Sequence, residues 1–84
     1  MMTDKEREHQ RLAERFASAN LDVVQVRHRV AQLETLVQQT EAAGNADRAQ
    51  DYRDVLRKAQ SDLKRLEAEA HTANGALAAN RAKG

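Results

Sequence analysis

Two heptad seams, mirrored about Gly44-Asn45, constrain this chain more than any other feature of its sequence. On the N-terminal side apolar residues recur in alternating steps of four and three: Leu12, Phe16, Ala19, Val23, Val26, Val30, Leu33 and Val37. On the C-terminal side the same rhythm runs through Ala49, Tyr52, Leu56, Ala59, Leu63, Leu66, Ala70, Ala73 and Leu77. A stripe of that period stays on one face of a slightly underwound helix, and it needs another helix to cover it.

Local signals divide the chain into two helices. Thr3 followed by Glu6 matches a capping box, so helix 1 is expected from about residue 3 to 42. No glycine or proline interrupts that stretch. Gly44 suits the left-handed position past a helix end, and Asn45 suits the N-cap of the next helix, with Asp47 in its first turn. Helix 2 is expected over about 46–73, with Asn74-Gly75 as its stop and residues 76–84 as a flexible Ala/Asn-rich tail. Leu77 nevertheless keeps the heptad phase, which leaves a longer helix 2 open.

A connection of residues 43–45 forces the helices antiparallel. Phe16, Val23, Val30 and Val37 then occupy a positions, and Tyr52, Ala59, Leu66 and Ala73 occupy d. The register sets Val37 opposite Tyr52, Leu33 opposite Leu56, Val30 opposite Ala59, and Val26 opposite Leu63. Farther out, Val23 meets Leu66, Ala19 meets Ala70, and Phe16 meets Ala73. Every pair is centred on the bend that the turn residues mark independently. On the flanks the register brings Glu34 near Arg53, Arg29 near Asp62, Leu36 beside Val55, and Asp22 near Glu69. The expected fold is therefore all-α: one antiparallel two-helix hairpin (a coiled coil), with a core of Leu12, Phe16, Val23, Val26, Val30, Leu33, Val37, Tyr52, Leu56, Leu63 and Leu66.

With 84 residues and no cysteine, such a hairpin has neither a large core nor a disulfide or thiolate metal site to reinforce it. Association is the remaining device. The 14 basic and 13 acidic residues nearly cancel and are interleaved, as on a solvated helix surface laced with local pairs. A nucleic-acid reader would show a basic excess. Arg7, Arg11, Arg15, Arg27 and Arg29 are the candidates for such a role, and no recognition element accompanies them. No apolar run reaches the length of a membrane span, and Met1-Met2 opens onto charged residues rather than a signal-peptide core. The expectation is a soluble, cytoplasmic chain.

Chemistry has few candidates here. His9, His28 and His71 lack the i, i+4 ligand spacing of a zinc helix. There is no phosphate-binding glycine loop, no nucleophile elbow and no isolated carboxylate dyad, and a two-helix hairpin encloses no water-excluding pocket. The expectation is no enzyme activity, no cofactor and no metal.

A second apolar stripe on helix 1 is more informative. Ala17, Leu21, Val24, His28 and Ala31 recur at four–three spacing on b and f positions, away from helix 2. Leu36 and Val55 widen the apolar area at the shoulder of the seam. The outer face of helix 2 carries Arg48, Asp51, Asp54, Lys58, Asp62, Arg65 and Glu69 instead. A helix apolar on two sides normally buries both. Two covers are expected: a second copy, giving a homodimeric four-helix bundle, or a helix or groove of another protein.

The turn Ala43-Gly44-Asn45, followed by an alanine-rich helix bearing Tyr52, resembles the small co-chaperones of type III secretion needle subunits over about residues 30–70. The longer first helix and the Ala/Asn tail depart from that pattern. The resemblance implies a chaperone-like role. More generally the chain reads as a non-enzymatic protein–protein interaction module that inhibits, sequesters or chaperones another protein, as an inhibitor of a host protein or a bacterial adaptor does. The alternative is a structural coiled-coil component.

Overall fold

The computed structural model describes residues 2–82 and contains two helices, α1 (Asp4–Ala42) and α2 (Ala46–Ala82), packed on each other as a hairpin. Thr3 caps α1: its Oγ1 accepts the Glu6 amide at 3.2 Å, and its hydroxyl lies 3.2 Å from the Glu6 carboxylate. The first turn carries Asp4 and Glu6, complementing the positive end of the helix dipole.

Gly44 closes α1 with φ +76°, the left-handed conformation that a side chain opposes. The Gly44 amide donates to the Glu41 carbonyl at 3.0 Å and the Asn45 amide to the Thr40 carbonyl at 2.9 Å. These two bonds satisfy carbonyls that a helix end would otherwise leave unpaired. Asn45 then opens α2, its Oδ1 accepting the Arg48 amide at 3.2 Å. Two adjacent residues thus end the first helix and start the second, which makes the reversal short and fixes the register.

The register is the one the seams imply. The pair that follows Leu12–Leu77 toward the open end is His9–Asn80, and the Asn80 side-chain nitrogen lies 3.4 Å from His9 Nδ1. Toward the turn, Val30, Leu33 and Ala59 form a buried cluster against which Val26, Tyr52, Leu56 and Leu63 pack.

Which seam residues are most buried reflects how thin the molecule is. The deepest positions are small or β-branched: Ala49 at 0% exposure, Ala73 at 1% and Val23 at 2%. Ala59, Leu12, Val30, Leu33, Val37 and Leu77 are also buried. Phe16, Val26, Tyr52, Leu56, Leu63 and Leu66, expected in the core, are only half-buried. An alanine sits against the neighbouring backbone, whereas a long side chain on a two-helix seam reaches the edge and meets water. Among the described residues no large side chain is fully buried.

Helix 2 does not stop at Asn74-Gly75. It runs through Gly75 to Ala82, so the flexible tail expected over 76–84 is helical over 76–82; Lys83 and Gly84 lie outside the described residues. Glycine inside a helix costs about 1 kcal/mol. Burying Leu77 against the α1 seam contributes roughly 1.5–3 kcal/mol and outweighs that cost.

One flanking pair also differs. Arg53 engages Glu41 and Gln50 rather than Glu34, and Arg27 reaches Glu67 at 3.3 Å. Helical side chains lean toward their own N-terminus. In an antiparallel pair two flanking residues therefore converge only when each lies C-terminal to the residue of its own helix that is level with the other. Glu41 and Arg53 satisfy that condition, whereas Glu34 leans away from Arg53. On the other flank Arg29 and Asp62 line one groove, and Asp22 and Glu69 line another together with Arg15.

Candidate functional site: the outer face of α1

The two helices differ on the faces they turn from each other. On α1 the b/f stripe lies about 150° round the helix from the seam, where α2 cannot cover it. Leu21 is 56% exposed and Val24 53%, and Ala17, His28 and Ala31 are exposed with them. Between Ala17 and Gln32 the outward residues are otherwise Ser18, Asn20, Gln25, Arg27 and Gln32. Arg27 is the one cation among them, and it is tied to Glu67 of α2. Asp22 and Arg29 turn to the grooves beside the seam. The middle of this face is therefore apolar, rimmed by neutral polar groups and free of carboxylates.

Val55 is not part of that surface, and Leu36 reaches only its edge, where it lines a shallow depression with Gln32 and Thr35. Leu36 is half-buried and packs on the Val30–Leu33–Ala59 cluster. Val55, 41% exposed, lines the interhelical groove with Val26, Arg29, Lys58, Ala59 and Asp62. Both occupy flanking g positions, roughly 100° or more from the b/f stripe. The spacing of apolar residues suggested one enlarged patch; the helix geometry separates it into a face and a groove.

The polar groups are engaged with one another. Arg7 lies 4.0 Å from Asp4, and Arg11 grips Glu8 through Nη2 at 2.6 Å and Nε at 3.1 Å. Hydrogen bonding from Arg11 holds the Glu8 carboxyl below its usual value, and Glu8 raises the Arg11 guanidinium. Of the five arginines considered for nucleic acid, Arg7, Arg11 and Arg27 pair directly with acidic side chains, while Arg15 and Arg29 line grooves to which Asp22, Glu69 and Asp62 also contribute. His9 sits in the seam, while His28 and His71 are exposed on different helices. Among the described residues no group of three His, Cys, Asp or Glu side chains is placed to hold a metal ion, and no helix is long and apolar enough to cross a membrane.

The chain matches no protein-family model, no curated protein and no solved structure.

Proposed function

We propose that this chain is a small non-enzymatic protein–protein interaction module whose contact surface is the outer face of α1. It acts by covering that face with another polypeptide, which it thereby inhibits, sequesters or chaperones; the homodimer expected from the sequence belongs to the same reading. The observation that supports it is the exposure of Leu21 and Val24 on a charge-poor face that the hairpin does not use. Covering each side chain is worth roughly 1.5–3 kcal/mol. Contiguous exposed apolar patches rimmed by polar groups mark interaction surfaces, whereas single exposed apolar residues do not.

The test is the double substitution Leu21→Glu with Val24→Glu in the full chain. Light scattering should show a fall in mass, or capture of the bound protein should be lost, while circular dichroism retains the helical signal. Unchanged mass together with unchanged capture would refute the reading. A structural coiled-coil role is the second reading, favoured by the 62 × 19 × 13 Å rod shape. Self-assembly into filaments or rings in an electron micrograph would select it.

A further inference from the structure

We infer that the occupant of the α1 face is a second copy of this chain, packed antiparallel so that Leu21 of each copy rests on Val24 of the other. This rests on the reading of that face as the contact surface and specifies what covers it. Charge selects the occupant and its direction. A two-fold contact sets a face against itself, so any charge cluster within it would repel its own image. Between Ala17 and Gln32 there is none to repel.

Beyond that window the stripe meets charged residues, and they discriminate between the two possible directions. Arg7 and Glu14 continue the f positions of α1 toward its N-terminus. A parallel, in-register pair would stack Arg7 on Arg7 and Glu14 on Glu14. The antiparallel pair sets Arg7 against Gln38, Gln10 against Thr35, Glu14 against Ala31, and Ala17 against His28. No like charges face each other along that line. Along the rims it sets Gln25 against Gln25, Ser18 against Gln32, Asn20 against Arg27 and, at the two ends, Glu6 against Glu41, whose carboxylate is already paired with Arg53.

The placement of the stripe agrees. The axis of such a pair, between Leu21 and Val24, falls within one residue of the middle of α1 (Asp4–Ala42), so antiparallel copies overlap along the whole helix. Because the face lies opposite the seam, the four helices form a row, α2–α1–α1–α2, with the charged faces of α2 outermost and the two turns at opposite ends.

The chain has no cysteine, so single thiols report the arrangement cleanly. Gln10→Cys and Thr35→Cys are prepared separately in the full chain, and a short bis-maleimide is added to each alone and to their mixture after subunit exchange. The expected result is cross-linked dimer in the mixture, containing one of each variant, and none in either variant alone, where equal residues stand about 38 Å apart. Cross-linking of Gln10→Cys alone would overturn the antiparallel arrangement while leaving the face in use. A dimer by light scattering with no cross-link in the mixture would overturn the register. A monomer at every concentration would overturn the second copy as occupant and leave the face to a different protein. A dimer that survives Leu21→Glu with Val24→Glu would overturn this inference and the choice of face together.

Discussion

Leu21 and Val24 on α1 occupy the same f and b heptad positions as Ser61 and Lys64 on α2, and the two pairs stand equally far from the shared seam. The hairpin imposes one requirement on both: to be helical and to stay out of the way. Helix α2 meets it with a charged outer face from Asp47 to Arg65. Helix α1 meets it between Ala17 and Ala31 with exposed apolar side chains, Leu21 and Val24 the largest. Since folding the hairpin asks nothing different of the two faces, it does not account for the difference between them. The same comparison explains why the seam, although it dominates the sequence pattern, says little about function. Its residues are consumed within the chain.

The strongest perturbation separates seam from face. Val30→Asp places a carboxylate in the buried cluster with Leu33 and Ala59, at a cost on the order of 3–5 kcal/mol. That is comparable with the whole stability expected of a chain this size, at about 0.05–0.15 kcal/mol per residue. The cooperative helical melt should disappear from circular dichroism, and a retained melt would break the register. Next comes the face itself. Leu21→Glu with Val24→Glu should lower the mass seen by light scattering, whereas Ser61→Glu with Lys64→Glu, at the equivalent positions of α2, should leave it unchanged. Equal responses from the two helices would remove the contrast.

Smaller effects are expected from the two described glycines, which do opposite work. Gly44 holds φ +76°, and a Cβ there would meet no atom within 4 Å, so the penalty of Gly44→Ala is backbone strain alone. It should destabilise by about 1–2 kcal/mol in a thermal melt. Gly75 lies inside α2 with equally open space, and Gly75→Ala should stabilise by about 0.5–1 kcal/mol. A destabilising Gly75→Ala would mean that α2 ends before Leu77.

The smallest effect concerns Glu8 and Arg11. Because the folded chain holds the Glu8 carboxyl below its unfolded value, its contribution is complete above the unfolded value and is lost as pH falls through the folded one. In an NMR titration Glu8 should titrate at higher pH in Arg11→Gln than in the parent chain. Identical curves would show that the pair does not form in solution.

Much of the fold was legible because it depends on local chemistry repeated many times. The heptad period follows from the pitch of a helix, the bend from the backbone freedom of Gly44, and the start of α2 from the capping side chain of Asn45. Each signal agreed with the others, so the level pairing emerged without coordinates. The exposed stripe of Ala17, Leu21, Val24, His28 and Ala31 was legible for the same reason, since helical periodicity alone turns it from the seam.

Other features needed the second helix in place. Local propensity marked Asn74-Gly75 as a stop, but the burial of Leu77 carries α2 on to Ala82. Heptad letters alone paired Arg53 with Glu34, but the lean of helical side chains delivers it to Glu41. Residue type placed Leu36 and Val55 with the stripe, whereas packing assigned one to the core edge and the other to a groove. It also ranked Phe16, Tyr52 and Leu66 as core, though in a molecule two helices thick they reach the solvent edge while Ala49, Ala59 and Ala73 lie beneath. By itself the sequence determined the elements, their direction and their phase, because these follow from short-range geometry. Only the tertiary structure decided where α2 ends, which charges meet and which side chains are dry, because those depend on how far each group reaches across a gap that another part of the chain defines.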